Sequence, residues 1–263
     1  MRDLDLEGRR YLVTGANTGV GRATAEQLAA RGARVLLACR SAERARAALE
    51  SIGARATFVP LDLGDLASVI RCAADARGRF DALINNAGVG GARGLTLDGF
   101  EYAFGVNHLG HYLLTRLMLP RVDRVVHLSS GSHFHADGVD FEMLTRPTAS
   151  LTGVREYAVS KLCVMLFHHE LARRGAASVA ADPGDVASDA FRHVPCLARW
   201  WITRSMKPPR EGARTPVHCA TEAVEAGSFY VDREARPPSE LSLEPTLGDA
   251  LWRRSARWVG IAP

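Results

Sequence analysis

The sequence predicts an open α/β fold: a doubly wound parallel sheet of about seven strands flanked by helices, formed by all 263 residues as one domain. Three observations carry this. Short apolar runs alternate with longer amphipathic stretches, the order that builds βαβ units. A glycine-rich turn joins the first apolar run to the first helical stretch. Polar residues recur directly after the runs, at the strand carboxyl ends where such sheets bind ligands. A chain of this length can bury a sizeable core as a single unit, and its 47% apolar content is ordinary for a globular protein.

The first run, beginning at Arg9, leads into Thr14-Gly15-Ala16-Asn17-Thr18-Gly19-Val20-Gly21-Arg22, and a helical pattern follows from Ala23 to Arg31. Three glycines let the backbone approach a pyrophosphate, and the N–H groups and dipole at the helix start favour its charge. A second strand, Arg34 to Ala38, ends at Cys39-Arg40-Ser41, about where a dinucleotide fold meets the adenosine ribose. An acid there would accept from a free 2′-hydroxyl. Arg40 instead suits a 2′-phosphate, and Arg22 adds a second cation, so the expected cofactor is NADP (NADPH) rather than NAD.

Leu61-Asp62-Leu63 closes a third strand, and Asn85-Asn86-Ala87-Gly88 follows a fourth from Asp81 to Ile84. A long amphipathic helix is expected from about Leu97 to Leu119, with Asn107 inside it. A fifth strand, Arg124 to Leu128, delivers Ser129 and Ser130. A sixth, Ser178 to Ala181, delivers Asp182-Pro183-Gly184-Asp185-Val186-Ala187-Ser188.

Between these last two strands stands Tyr157-Ala158-Val159-Ser160-Lys161. Helical spacing puts Tyr157 and Lys161 on one face. Only two of the 33 cationic residues are lysines, so lysine at this position suggests chemistry that arginine does less well. A free phenol titrates at about 10, and a compact cation beside it stabilises the phenolate, so a lowered Tyr157 pKa is expected.

With these residues in hand, the chain resembles the short-chain dehydrogenase/reductase family, in its branch of retinol dehydrogenases and related carbonyl reductases. The resemblance runs from Leu6 to about Gly260, and its motifs occur in the family's order. It implies a Rossmann-type domain. By the same resemblance Tyr157 is the general acid/base, Lys161 lowers its pKa and bonds the nicotinamide ribose, and Ser130 holds the substrate oxygen, with Ser129 in its place if the strand register differs. Asn107 anchors a water that links Lys161 to solvent. Gly15, Asn17, Thr18, Gly19, Val20, Gly21 and Arg22 form the phosphate loop, with Pro183 and Gly184 in the turn at the nicotinamide end. Asp62, beside Leu63, meets the adenine amino group. Asn86, with Ala87 and Gly88, lines the adenosine ribose side, and Val186 and Ser188 face the carboxamide.

Three departures stand out. Ser188 replaces the usual threonine and keeps its hydroxyl. Asp182 and Asp185 add negative charge near the nicotinamide end, which bears on substrate choice. Between Ser130 and Tyr157 lie 26 residues, an insertion similar to that of the retinol-dehydrogenase branch.

The implied substrate is a lipophilic or polycyclic carbonyl or alcohol. The stretch 189–210, a lid in the family, mixes Phe191, Trp200, Trp201 and Met206 with arginines, and such side chains can enclose an apolar molecule. Packing against the domain or a partner subunit is the equal alternative, since relatives often form homo-oligomers. Ser132 and His133, with Phe134 and His135, are candidates for the opposite wall. Redox-neutral epimerase or cyclase chemistry, or a nucleotide-binding sensor or scaffold, are the rival functions; the intact Asn107, Ser130, Tyr157 and Lys161 argue against the last.

A net charge of +4 comes from dispersed arginines without a nucleic-acid-binding motif, so nucleic acid is not expected as a partner. No apolar stretch approaches a membrane span, and residues 1 to 10 are too charged for a signal peptide, so no membrane anchor is expected. Five cysteines without Cys-x-x-Cys spacing fit reduced thiols and a cytoplasmic protein. The histidine pairs 108/111, 133/135 and 168/169 match no zinc signature and are expected as surface or hydrogen-bonding residues, with no metal.

Overall fold

The computed structural model describes residues 4–186 and 206–263. Its sheet comprises β1 (Arg10–Thr14), β2 (Arg34–Cys39), β3 (Ala56–Pro60), β4 (Ala82–Asn85), β5 (Val125–Leu128), β6 (Ser178–Asp182), β7 (Phe229–Val231) and β8 (Glu234–Arg236). Their order across the sheet is β3-β2-β1-β4-β5-β6-β7-β8. All neighbours pair in parallel except β8, which folds back antiparallel on β7. The sequence predicts about seven strands. The eighth is a fully exposed three-residue strand, too short to show a period, reached through Asp232 and Arg233 at φ 50° and 69°. Those positive angles at both central residues match the twist of a tight hairpin.

The chain steps outward from β1 to β3, then returns to place β4 on the other side of β1. This reversal opens a crevice at the carboxyl ends of β1 and β4, the ligand position in doubly wound sheets. Helix α1 (Gly19–Ala30) and helix α2 (Ala42–Ile52) pack on one face of the sheet, where Leu28, Ala45 and Ala48 are fully buried. The Ser41 side chain caps α2 by accepting from the Arg44 N–H at 3.3 Å. Helix α3 (Leu66–Asp75) lies on the other face and is capped by Asp65, which accepts from the Ala67 N–H at 2.9 Å.

The helix expected from Leu97 to Leu119 begins later, at Tyr102. Gly99, at φ 83°, turns the chain in the left-handed region, and Glu101 accepts from the Phe104 N–H to start the helix. Tyr102–Phe104, a π-helical stretch Gly105–Leu109 and Gly110–Met118 then run on as helix α4 (residues 102–118). Helix α5 (Val154–Arg173) carries Tyr157 and Lys161, and α6 (Arg214–Thr221) joins α1 on the opposite face. Helix α7 (Pro245–Trp258) packs on α4 and α5 through Trp252 and Leu251. No described helix is long and apolar enough to cross a membrane.

Candidate active site

At the crevice the first turn is held by contacts that only glycine permits. Gly15 has φ 66°, and a Cβ there would stand 2.9 Å from Ala87. At Gly21 a Cβ would stand 2.2 Å from the Asn86 amide and 2.6 Å from the Gly15 carbonyl. The turn is clamped from β4: the Asn86 side chain donates to the Thr14 carbonyl at 2.7 Å, and the Asn86 and Ala87 N–H groups both donate to the Thr14 hydroxyl at 2.9 Å. Helix α1 has no acidic residue in its first turn, so the positive end of its dipole at Gly19 is left for an outside anion.

From this turn a continuous cleft runs across the strand ends. It is lined by Gly15, Asn17, Thr18, Gly19, Val20 and Gly21 at the loop, by Arg40 at the end of β2, and by Asp62 and Leu63 after β3. Asn86, Ala87 and Gly88 after β4, then Tyr157, Lys161 and Pro183, complete the wall. Two features differ from the sequence expectation. Arg22 does not line the cleft; its guanidinium is paired with Glu26 one turn along α1, at 2.8 Å. Arg44, not singled out from the sequence, lines the cleft beside Arg40. Its signal was its position in the first turn of the helix that Ser41 caps, four residues after Arg40.

At the other end of the cleft, Lys161 is buried and its Nζ donates to the Leu128 carbonyl at 2.8 Å, 5.7 Å from the centre of the Tyr157 ring. The Ser130 hydroxyl donates to the Ser132 hydroxyl at 3.2 Å and stands near enough to the Tyr157 phenol to favour its phenolate. Asn107 sits in the π-helical stretch of α4, a distortion frequent at functional sites. Its Oδ1 accepts from the Val89 N–H at 2.8 Å, while its Nδ2 donates to the Val89 carbonyl at 3.0 Å and to Ser160 at 2.9 Å. Ser160 in turn donates to the Tyr157 carbonyl at 2.7 Å. Gly88 lies against both groups: a Cβ there would be in ordinary contact with the Asn107 oxygen at 3.5 Å and the Lys161 ammonium at 3.7 Å.

The electrostatics correct the expectation of a lowered Tyr157 pKa. Burial pushes the phenol up to about 12, against the Ser130 hydroxyl, with a further upward push from Asp182. Burial likewise brings Lys161 down to about 8, against the stabilising charge of Asp182. In this low-dielectric pocket desolvation outweighs what opposes it, Ser130 at the phenol and Asp182 at the ammonium. The arrangement nevertheless puts a proton donor, a second hydroxyl and a titratable ammonium around one point, the components of acid–base work on an oxygen.

Of the two serines after β5, Ser129 lines the cleft and Ser130 does not, although the Ser129 hydroxyl is buried without a partner among the described residues. Ser132 donates its N–H to the Ser130 hydroxyl at 3.2 Å. His133 does not face the cleft as expected of a substrate wall: it is 1% exposed. Its Nδ1–H donates to the Ser130 carbonyl at 2.7 Å, and its Nε2 accepts from the Ser239 N–H at 3.2 Å. His108, His111, His168 and His169 are buried too, and three of them take the hydrogen-bonding one of the two expected roles: His108 meets Ser255 (2.9 Å), His168 meets Ser178 (2.8 Å), and His111 bridges Thr14 (2.9 Å) and the Asn107 carbonyl (3.0 Å). Gly184, at φ 76°, turns the chain after β6, and the Val186 side chain points into the core. Ser188, Phe191, Trp200 and Trp201 lie outside the described residues, as does most of the 189–210 segment.

A family model described as short chain dehydrogenase matches residues 9–137. The chain is 39% identical to dehydrogenase/reductase SDR family member 13 of Bos taurus, over 98% of this chain and 75% of that protein. It is 38% identical to retinol dehydrogenase 11 of Homo sapiens, over 98% of this chain and 88% of that one. Among solved structures, an uncharacterised protein from Mycobacterium Paratuberculosis superposes with a TM-score of 0.82 at 32% identity, covering 97% of this chain and 95% of its own. The glycine turn, the strand-end residues and the Tyr157–Lys161 helix thus sit in a chain that is similar to these proteins nearly end to end, and it belongs to the short-chain dehydrogenase/reductase family of oxidoreductases, on its retinol-dehydrogenase-like branch.

Proposed function

We propose that this oxidoreductase is NADP-dependent and transfers a hydride between the nicotinamide and the carbonyl or alcohol carbon of a lipophilic substrate, acting as a ketoreductase in the reductive direction. The observation that carries this reading is the single cleft that begins at the glycine turn, passes Arg40 and Arg44, and ends at Tyr157 and Lys161. The residues fit a dinucleotide: Gly15 and Gly21 leave the loop backbone bare for a pyrophosphate, and two guanidiniums stand where a 2′-phosphate would be met. When bound, the nucleotide supplies the hydride.

The protein's own residues do the rest. Ser130 hydrogen-bonds the substrate oxygen and holds it against the Tyr157 hydroxyl, which gives that oxygen its proton in reduction and takes it back in oxidation. A raised phenol pKa keeps Tyr157 protonated at neutral pH, the form that reduction needs. Lys161 places its ammonium at the foot of the site, within reach of a ribose hydroxyl and of the phenolate left after proton transfer. Asn107 ties the loop after β4 to α5 through Val89 and Ser160, which fixes the turn of α5 that presents Tyr157. Fixing the reacting atoms turns the chemical step into an effectively intramolecular one.

The lipophilic substrate class rests on the aromatic and methionine content of the 189–210 segment and on the names of the retinol dehydrogenases that the chain resembles. The test is a fluorescence titration with NADPH and NADH in parallel, followed by a panel of apolar aldehydes and ketones monitored at the nicotinamide absorbance. Tight NADPH binding with weaker NADH binding, and turnover of apolar carbonyls, is the expected result. Absence of binding by either nucleotide overturns it.

A further inference from the structure

Asp182 closes β6 at its carboxyl end and is 8% exposed. Side chains alternate along a strand. Val179 and Ala181 pack in the core on the α1 face, while Ala180 packs against Met165 of α5 and Phe229. Asp182 therefore points to the α5 side, the side of Tyr157 and Lys161. Its Oδ1 accepts from the Gly184 N–H at 2.8 Å, so the carboxylate is fixed by the turn it precedes. Its Oδ2 faces Gly131, 3.8 Å from where a Cβ would stand, just beyond Ser130. The next residue, Pro183, lines the cleft together with Tyr157 and Lys161.

The charges around this carboxylate do not cancel it. Lys161 of α5 shares its field, and that ammonium is directed at the Leu128 carbonyl. Tyr157 of α5 and His133, after β5, also feel it, but both are held neutral by burial. Lys207, beside Gly184, is paired with Asp232 at 2.7 Å. Asp185, two residues past Pro183, is exposed and therefore screened.

We propose that Asp182 sets the redox-state preference of the bound nucleotide, stabilising the oxidised form relative to the reduced one. The physical reason is a difference of one charge. An oxidised nicotinamide ring is cationic and the reduced ring is neutral, so a fixed, poorly solvated carboxylate beside the ring's end of the cleft attracts only the former. A ligand distinguishes two states only through an interaction that differs between them, and this one does. In a reductase the consequence is slow release of the oxidised product nucleotide. In the dehydrogenase direction the same charge favours the form that begins the cycle.

This inference rests on the reading of the cleft as a nicotinamide dinucleotide site, so wild-type protein is titrated first with NADP⁺ and NADPH, by calorimetry or fluorescence. Asp182→Asn then removes the charge while its side-chain oxygen still accepts from the Gly184 N–H, and Asp182→Glu retains the charge. Asp185→Asn serves as the control for an exposed carboxylate. The Kd ratio of oxidised to reduced nucleotide is expected to rise about fivefold or more in Asp182→Asn, to return toward the wild-type value in Asp182→Glu, and to stay within about twofold in Asp185→Asn. Binding of both forms with an unchanged ratio in Asp182→Asn overturns this inference alone, and so does an equal weakening of both, which would mark a purely structural residue. Wild-type protein that binds neither nucleotide overturns the functional reading and this inference with it.

Discussion

The Lys161 ammonium donates to the Leu128 carbonyl at 2.8 Å while standing 5.7 Å from the centre of the Tyr157 ring, so strand β5 holds the cation that serves the tyrosine. This anchoring explains the choice of lysine in a chain with one other lysine. The slot is 4% exposed and admits a slim stem with a compact head. A guanidinium is planar and wider, so Lys161→Arg would keep the charge but misplace it. Turnover in Lys161→Arg is expected to fall by about 10²-fold or more, on the scale of a lost acid–base partner. A steady-state rate within tenfold of wild type would show that charge alone suffices.

The same residue predicts a pH profile. With its pKa lowered to about 8, Lys161 is cationic below that value and becomes neutral as pH rises through it. Tyr157, raised to about 12, stays protonated across this range. Reduction, which needs both the ammonium and the phenol proton, is therefore expected to hold up to about pH 8 and decline above it. Tyr157→Phe should bind nucleotide with near-normal affinity and lose at least about 10²-fold in kcat. A flat profile from pH 7 to 10, or an active Tyr157→Phe, contradicts these assignments.

Nucleotide choice is expected to depend on two arginines rather than one. Arg40 and Arg44 both line the cleft, whereas Arg22 is engaged with Glu26. Single replacements of Arg40 and Arg44 by alanine should each weaken NADPH by about tenfold, as loss of a charge-assisted bond does, and leave NADH nearly unchanged. Arg22→Ala should affect the two nucleotides alike. Equal losses of NADPH and NADH in Arg40→Ala would remove the 2′-phosphate role.

What could be read from the sequence follows from how local each signal is. The glycine turn, the residues after β2, β3 and β4 and the Tyr157–Lys161 spacing are set by one or two turns of backbone, so their positions in the cleft were legible, whereas Ser130 and Val186 do not line it. Arg44 was missed because its approach depends on where α2 is placed by the Ser41 cap. The direction of the Tyr157 shift was misjudged because spacing reveals a neighbouring charge but not the desolvation that opposes it. The start of α4 at Tyr102 and the hairpin strand β8 depend on single residues with positive φ, Gly99 in one case and Asp232 with Arg233 in the other, against which amphipathic patterning is silent. His133 looked like a pocket wall in the insertion, and only tertiary packing reveals that both its nitrogens are spent on Ser130 and Ser239.

The buried histidines predict a stability profile distinct from the catalytic one. Burial lowers His108 and His127 to about 3 and His111 and His169 to about 4. His111 shows the reason in its bonds. The Thr14 hydroxyl already accepts from two N–H groups and gives its proton to His111 Nε2, so Nδ1–H donates to the Asn107 carbonyl and the neutral ring is complete. For each such group the folded pKa lies below the unfolded value of about 6.5. The unfolded chain therefore binds more protons between about pH 6.5 and the folded values of about 3 to about 4, and the stability present above 6.5 is lost progressively as pH falls through that window. Tm measured by circular dichroism should drop steeply from pH 7 to 5, and His111→Asn, which keeps a donor near Nδ1, should flatten the drop. A Tm constant from pH 7 to 4.5 would mean that these rings can take up protons in the folded state, against the burial described for them.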